Sequence, residues 1–492
     1  MFSGKIVKEG YYYGIMIFFF LYCSLSMIFG EKLPNIPGSE FDAVFYRSIA
    51  QNFEGIYQTI GIDAFRIGRV LPFISVYFLS QATCFMGLMV SVDSLMVFQN
   101  ILVLLISVLV FHYLMDSYNL QSAEKTISFL FVFFNAAFLK ILPYYPYQTD
   151  IYAVCLTLLL LYCHKKGWNF LQYVLIVFGS FTWPLYPMVG FIFFIFPNTA
   201  VSNLEKRRLI NSKIFSIVAI ICYSLILGVI LFEIKINSLG IFNNPLGPVR
   251  YKNYLLIIVS YLSTIVFIYF YFLNKSIWLS WFREQVELVN KRNLLFGLIL
   301  FGIVSLVKDH FVNNQDSVHN AWMFMNRVVV FPLDAPFLFL VNHFQYFGFV
   351  IIFLFLGVIR NRGFELGVPY VWIYLLTGLL ILDTESRQLI NLFILTIPFV
   401  FVLVQKIEID KKLITGVLVL QLILSRCWYQ INTDEFLFAV REFSVNEIFN
   451  QPLQRYFHFF GRWQSLGVYS FFLIMGVVMF FTLGKMINWK NQ

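Results

Sequence analysis

The sequence contains little charge and few of the motifs that mark soluble enzymes. Asp, Glu, Lys and Arg make up 12% of its 492 residues, whereas a soluble globular protein carries about 25%. Six cysteines are scattered in or beside apolar segments and form no CxxC pair, which argues against a zinc site or a disulfide framework. The absence of GxxxxGK[ST], HExxH and GxSxG motifs gives no support to P-loop, zincin or α/β-hydrolase chemistry.

Long apolar runs dominate the chain instead. Hydrophobic residues make up 60% of it, and the mean hydropathy is +0.77. Uncharged apolar runs of about 18 residues or more recur along the whole length, which is typical of transmembrane helices. The first, at 11–29, follows Lys5 and Lys8 without a convincing cleavage site, so we interpret it as an uncleaved anchor. We predict an all-α polytopic membrane protein with about 11–13 spans.

The basic residues gather in short connectors between the apolar runs. This distribution favours cytoplasmic N- and C-termini, because Lys and Arg resist translocation. It also explains the net charge of +9 without nucleic acid as a partner. The clusters are Lys5/Lys8, Lys165/Lys166, Lys206–Arg208 with Lys213, 275–292, Arg360/Arg362, 406–412 and Lys485/Lys490.

The apolar runs predict most of the helices directly. They are expected near 11–29, 213–232, 252–273, 294–307, 343–359, 368–382, 388–405, 413–427 and 465–484. The prolines of "WPLYP" at 183–187 predict a bend between two shorter spans. Three full spans at 70–90, 94–114 and 126–142 would place Asp150 on the same side as Lys165, so one of them is expected to be short, re-entrant or interfacial.

The connector between the first two apolar runs is rich in ionisable residues. Apolar residues at helical spacing predict an amphipathic helix at the outer membrane surface, with Asp42 near its start. Arg66 and Arg69, three residues apart, suit the clamping of one phosphate. Arg47 and Asp63 are further candidates in this connector. The alternative is that these charges only anchor the chain at the membrane edge.

Two further segments place ionisable residues beside apolar helices. Asp150 follows "LPYYPYQT" and opens an apolar run, where it suits either a functional site or a helix N-cap. Arg387 leads into another apolar run and needs an anionic partner there. That partner is predicted to be Asp383, Glu385 or a ligand phosphate, and a structural ion pair is the alternative to a functional site.

A polar segment at 308–322 contains His310 and His319 beside aspartates. Imidazole and carboxylate groups bind divalent cations. The spacing matches no metal motif, and an ordinary polar loop is the favoured interpretation. No cofactor is required by the pattern, and a divalent cation, Mg²⁺ or Mn²⁺, stays an open alternative.

Four motifs together resemble the GT-C glycosyltransferase superfamily, in particular its bacterial, polyprenyl-phosphate-sugar-dependent members. They are "EFDAVFYRSIA", "GRVLP", "PYYPYQTD" and "DTESRQLINLFILTIP". The resemblance is best over 1–200 and recurs over 383–398. It implies one integral-membrane domain, in which 201–492 forms a more variable module. It implies a GT-C-like fold that carries an inverting transferase site on the outer face of the cell membrane.

The resemblance also implies roles for particular residues. Asp42 would be the catalytic base, and Asp150 a second acid that helps hold a metal or the acceptor. Arg66, Arg69 and Arg387 would bind the phosphate of a polyprenyl-phosphate-linked sugar donor. The acceptor would be a cell-envelope glycan, lipid or protein. A single Asp stands where the family has a DD or DE pair, which leaves metal dependence open.

Two other functions fit a membrane protein of this composition. A polysaccharide or O-antigen-type polymerase would use arginines of the late outer loop, among them Arg441, Arg455 and Arg462. A lipid-linked-sugar transporter or flippase would need intramembrane charges that line a polar cavity at mid-depth. The sequence provides few carboxylates within its apolar runs, which favours the glycosyltransferase hypothesis.

Overall fold

A computed structural model describes most of the chain, and all structural statements below concern that part. The described residues are 9–32, 42–196, 212–236, 253–273, 288–314, 324–359, 366, 368–428, 464 and 466–490. Much of the predicted loops at 308–327 and 428–464 therefore lies outside it, including His319, Arg441, Arg455 and Arg462.

Helices make up the described fold, and no strand occurs among these residues. Apolar side chains and the scarcity of internal charge favour this outcome, because a helix satisfies its backbone hydrogen bonds within one segment. The first ten are α1 Glu9–Phe29, α2 Asp42–Gln51, α3 Phe53–Thr59, α4 Leu71–Phe85, α5 Val92–Ser117, α6 Ser122–Phe133, α7 Leu142–Tyr144, α8 Asp150–Lys166, α9 Asn169–Ser180 and α10 Tyr186–Ile195. The others are α11 Ser212–Ile236, α12 Tyr254–Phe272, α13 Lys291–Phe311, α14 Leu338–Phe347, α15 Phe349–Ile359, α16 Val368–Leu380, α17 Ile390–Leu395, α18 Ile397–Gln405, α19 Lys411–Ser425 and α20 Leu466–Met486.

Six of these helices are long and apolar enough to cross a membrane: α1, α5, α11, α12, α13 and α20. Large apolar side chains on them remain exposed, for example Phe18, Leu225 and Ile474. Such a surface suits hydrocarbon and is costly in water. The chain is therefore a polytopic helical membrane protein, as predicted.

Three further apolar segments are helix pairs bent at a short break. The bends measure 59° between Ser122–Phe133 and Ala137–Tyr144, 97° between Arg327–Asp334 and Leu338–Phe347, and 54° between Ser386–Leu395 and Ile397–Gln405. Counting each pair as one span raises the number of candidate spans in the described part to nine. Pro332, Pro336 and Pro398 lie at or near the last two breaks, where proline removes a helical hydrogen bond.

The structure shows which of the segments 70–90, 94–114 and 126–142 is a full-length straight helix. Helix α5 is the full-length one of the three, whereas α4 has only 15 residues and the third segment is the 59° bent pair. The segment around "WPLYP" forms two helices, α9 and α10, separated at 181–185. Among the three early segments, both α4 and the bent pair depart from a straight full span, whereas the charge pattern predicted one such departure.

One predicted helix, at 343–359, is instead two helices that meet at Gly348. Gly348 has φ +70° and ψ −144°, a conformation that residues with a Cβ rarely adopt. A Cβ there would also lie 2.0 Å from Oε1 of Gln421. Hydropathy alone could not reveal this break, because Gly348 lies within a continuous apolar run.

The connector after α1 folds into the short helices α2 and α3, consistent with the helical spacing. The buried face of α2 consists of Tyr46, Ile49 and Ala50. Tyr46 stacks on Phe73 of α4, with ring centroids 4.4 Å apart. Ile49 is one of the apolar residues at helical spacing, whereas Tyr46 has a polar tip and is buried because it packs well against an aromatic partner.

Candidate functional site

The segment 383–388, which precedes α17, is the centre of the candidate site. Side chains from three distant parts of the chain contact it: Arg69, Asp150 and Arg327. All three are buried, as are Asp383 and Arg387 within the segment. Ionisable groups buried in an otherwise apolar membrane protein are costly, so this cluster is the strongest candidate for function.

Asp150 and Arg387 form a buried ion pair. Nε of Arg387 donates to Oδ2 of Asp150 at 3.0 Å and to Oδ1 at 3.3 Å. Their side chains are only 4% and 3% exposed, so each charge depends on the other. The guanidinium also lies 5.8 Å from the ring centroid of Tyr145. Asp150 at the start of α8 is therefore an anionic partner of Arg387, whereas Asp383 and Glu385, which were predicted for this role, lie next to Arg327.

Arg327 binds the carboxylates at the start of the same segment. It donates from Nη2 to Oδ2 of Asp383 and lies 3.3 Å from Oε2 of Glu385 through Nη1. The backbone N–H of Glu385 donates to Oδ1 of Asp383 at 2.9 Å. Arg327 was not among the predicted site residues, although an arginine beside the apolar run "VVVF" is itself a signal of a functional or paired charge.

Arg69 lies between two aromatic rings and reaches the same segment. Its guanidinium carbon is 4.2 Å from the ring centroid of Phe65 and 4.8 Å from that of Trp183. Nη2 donates to Oε1 of Gln388 at 2.9 Å. Stacking of this kind orients the guanidinium plane while leaving its edge for hydrogen bonds.

A cavity of about 170 Å³ adjoins these groups. We call it the arginine cavity. Its lining combines two guanidiniums, one carboxylate, one amide and several aromatic and apolar side chains. The lining residues are Phe65, Arg69, Trp183, Pro184, Leu185, Phe324, Arg327, Leu380, Asp383, Gln388 and Leu389. Cations suit a phosphate, and aromatic faces suit the apolar face of a sugar ring.

Arg66, the predicted partner of Arg69, has different neighbours. Nη1 of Arg66 lies 3.5 Å from Oδ2 of Asp63, and its guanidinium lies over the ring of Phe45 at 4.3 Å. Oδ1 of Asp63 accepts from the backbone N–H groups of Phe65 and Arg66. Asp63 thus holds the turn that presents Arg69, whereas Arg66 is not among the residues that line the arginine cavity.

Two buried side chains from α14 support the segment 383–388. Asn342 donates through Nδ2 to the carbonyl of Thr384 at 3.0 Å. Nε2 of His343 donates to the carbonyl of Ile381 at 2.7 Å, so Nδ1 accepts from the hydroxyl of Ser386 at 2.9 Å. Asn342 and His343 were not predicted as site residues, because their only signal in the sequence is a polar pair within the apolar segment "FLVNHFQYF".

Several buried polar atoms of residues that neighbour Asp150 or Arg387 in the sequence lack partners within the described structure. They include Nε2 of Gln148, Oγ1 of Thr149 and the side-chain amide of Asn391, all in buried residues. Such atoms cost free energy unless water or a ligand binds them. The pair therefore has polar surroundings that suit a functional centre better than a purely structural contact.

A second, larger space lies beside α2. This groove of about 590 Å³, which we call the α1–α5 groove, is lined by residues of α1, α2, α5 and the segment 145–147. Arg47, one of its lining residues, binds Asp93 of α5 through two hydrogen bonds of 2.9 and 2.6 Å. Helix α2 begins at Asp42, whose side chain lies outside the described structure.

Tyr147 completes the polar end of this groove. Its hydroxyl donates to Oδ1 of Asp93. Burial and this hydrogen bond raise the pKa of Tyr147 well above its ordinary value. The hydroxyl therefore stays protonated and remains a donor, and it helps Arg47 fix the Asp93 carboxylate.

The metal hypothesis gains no support from the described residues. His310 is exposed near the end of α13. Within the described ranges, no group of three or more His, Cys, Asp or Glu side chains lies close enough together to hold a metal ion.

Comparison with known proteins adds no family. No protein-family model, curated protein or solved structure matches the chain. The helices define its class as a polytopic membrane protein, and its activity has to be inferred from the geometry of the site.

Proposed function

We propose that the chain is a membrane glycosyltransferase that moves a sugar from a polyprenyl-phosphate-linked donor to a cell-envelope acceptor at the outer face of the membrane. The arginine cavity carries this proposal, because it combines buried guanidiniums, a carboxylate and aromatic rings in one space. A phosphate needs cations, whereas a sugar ring packs on aromatic faces. The apolar helices around the cavity keep such a site within reach of a lipid-linked donor.

Arg69 is the proposed ligand of the donor phosphate. Phe65 and Trp183 hold its guanidinium in place, and a preorganised cation stabilises charge as it develops on the departing phosphate. Arg327 lines the same cavity, where Asp383 and Glu385 already balance its charge. We therefore propose that Arg327 holds the Asp383 carboxylate in place and that Arg69 binds the donor phosphate.

The proposed reaction is a single displacement with inversion. A carboxylate takes the proton of an acceptor hydroxyl, and the hydroxyl oxygen bonds to the anomeric carbon. The bond between that carbon and the phosphate oxygen breaks, and polyprenyl phosphate leaves with the electron pair. Asp42 is the base that the family resemblance implies, and Asp383, which lines the cavity, is the second candidate.

The test is donor turnover by the full-length protein purified in detergent. A panel of polyprenyl-phosphate sugars is offered, and release of polyprenyl phosphate is measured. Arg69→Met is expected to lower kcat/KM by about 100-fold or more, the usual effect of removing one group that stabilises developing charge. The matched control is Arg292→Met, which removes an exposed arginine at the start of α13. Unchanged turnover in Arg69→Met would contradict the proposal.

Transport of a lipid-linked sugar is the second candidate function. The observation in its favour is that Arg327 and Arg387 lie buried near the start of two bent helix pairs, with the buried Asp383 just before the second, and broken helices that carry charge also occur in transporters. Vesicles that contain the purified protein separate the two functions. Movement of the donor across the bilayer without any consumption of it would establish transport and exclude the transferase.

A further inference from the structure

The α1–α5 groove has the form of a site for an amphiphile. Its walls are apolar, with Ile28 from α1, Val44 from α2, and Val97 and Phe98 from α5. Lys32 and Arg47 lie among its polar lining residues. A molecule with a hydrocarbon chain and a polar headgroup matches this combination better than a water-soluble ligand does.

The chain direction places the polar residues at one membrane surface. Lys32 follows the C-terminal end of α1 at Phe29, and Asp93 lies in the first turn of α5. These ends of two candidate spans line one groove, so they share one side of the membrane. With the proposed cytoplasmic N-terminus, that side is the outer one. Side chains of α1 and α5 that lie one or two turns away from these ends are then at the depth of the membrane hydrocarbon.

The polar end of the groove has donors available for an anion. Nζ of Lys32 donates to the carbonyls of Ser26 and Gly30, and an ammonium carries a third N–H. Arg47 uses Nε and Nη2 for Asp93, and its guanidinium has five N–H groups in all. A phosphate matches the remaining donors of both side chains.

The groove also borders segments that carry residues of the candidate site. Ala43 and Val44, which follow Asp42 in α2, line it. Tyr145 lines it as well, and the ring of Tyr145 lies 5.8 Å from the guanidinium of Arg387. The arginine cavity lies beside Gln388 of the same segment. A catalytic base acts on the acceptor hydroxyl, and α2 begins at Asp42, the base that the family resemblance implies, so the groove beside α2 suits the acceptor.

We propose that the acceptor is an anionic lipid with a phosphate and a hydroxyl in its headgroup, and that it binds in the α1–α5 groove. This inference rests on the proposed glycosyltransferase function for the acceptor role, but the lipid site itself does not depend on it. The lipid hydroxyl supplies the proton and the attacking oxygen of the displacement described above. The phosphate lies at Lys32 and Arg47, and the hydrocarbon chain follows Val97 and Phe98.

Binding is tested first, independently of turnover. Native mass spectrometry of the full-length protein measures bound dioleoyl phosphatidylglycerol, with dioleoyl phosphatidylcholine as the zwitterionic comparison. Phosphatidylglycerol is expected to bind more tightly. Lys32→Met should weaken the binding of phosphatidylglycerol about fivefold, the usual effect of one cation near a membrane surface. Val97→Trp should also weaken this binding, because the larger side chain fills the groove. Leu102→Trp, at an exposed position of the same helix, is the matched control. Equal phosphatidylglycerol binding by wild type, Lys32→Met and Val97→Trp would overturn the site.

Turnover then separates this inference from the proposed function. With a labelled donor, sugar is expected in the lipid phase, and Val97→Trp should lower that transfer while donor binding stays unchanged. Arg69→Met should instead weaken donor binding. If no donor is bound or consumed by the wild type, the proposed function fails even where phosphatidylglycerol binds. If sugar reaches a soluble glycan equally well in wild type and Val97→Trp, only the lipid-acceptor inference fails.

Discussion

The buried Asp150–Arg387 pair allows a quantitative prediction. The paired nitrogen and oxygen are 3.0 Å apart, which corresponds to an attraction of about 5–6 kcal/mol at an effective dielectric constant of about 20. Removing one partner takes away the ion pair that offsets the burial of the other charge. Asp150→Asn and Arg387→Gln are therefore each expected to lower the free energy of unfolding by about 3–5 kcal/mol.

The double variant distinguishes a lost ion pair from a general packing defect. Asn and Gln are neutral and retain a donor facing an acceptor, so no charge stays buried in the double variant. We expect it to lose only about 1–2 kcal/mol, the cost of one weakened buried hydrogen bond. The double-mutant cycle then yields a coupling energy of several kcal/mol, larger than for side chains that do not touch.

The free energies are measured by unfolding the purified protein in detergent mixtures with increasing dodecyl sulfate, followed by tryptophan fluorescence. Losses below about 1 kcal/mol in both single variants, the range of exposed pairs, would refute the description of the pair as dry and buried. Sugar transfer by the double variant adds a second result. Retained transfer would exclude a catalytic carboxylate at Asp150, whereas a stable but inactive protein would support the predicted second acid.

Three further predictions use the same unfolding measurement. Gly348→Ala is expected to lower the free energy of unfolding by about 1–3 kcal/mol, because the backbone conformation at this position strains a residue with a Cβ. The control is Gly228→Ala in α11, where a Cβ meets nothing within 4 Å. This variant should raise the free energy of unfolding by about 0.5–1 kcal/mol. A Gly348→Ala protein as stable as wild type would contradict the positive φ. Arg47→Met should lower the free energy of unfolding by less than about 1 kcal/mol, because the ion pair of Arg47 with Asp93 is partly exposed. A loss as large as that expected for Arg387→Gln would show that this pair is buried more deeply. His343→Phe should lower the free energy of unfolding by about 2–4 kcal/mol, because the Ser386 hydroxyl and the Ile381 carbonyl each lose a hydrogen-bond partner. An unchanged free energy of unfolding would contradict these two hydrogen bonds.

Much of the fold was predictable because hydrophobic runs reveal helices in a membrane protein. The long helices α1, α5, α11 and α12 follow directly from composition. The breaks were harder to predict. The prolines at 183–187 predicted one bend. The predicted helix at 388–405 is instead bent by 54° next to Pro398, and Gly348 interrupts a run that hydropathy alone presents as one helix.

The site was predictable in its parts but not in its pairing. Arg69, Asp150, Asp383 and Arg387 were candidates because charge beside an apolar run is costly. Their partners depend on contacts between segments far apart in sequence, which one sequence without relatives does not reveal. Arg327 was not predicted, because it stands in "MFMNRVVVF" without a neighbouring ionisable residue. The predicted catalytic role of Asp42 stays a prediction, since its side chain lies outside the described structure.

The sequence separation of the buried pair has a consequence for biogenesis. Asp150 and Arg387 are 237 residues apart, and synthesis proceeds at about 5–20 residues per second. Asp150 therefore leaves the ribosome roughly 10–50 s before Arg387 exists. During that interval, the nascent chain has to keep this carboxylate hydrated, bound to another cation or protonated. Final closure of the helix bundle has to wait for the segment 383–388, so a chain that ends before this segment is expected to be a target for membrane proteases.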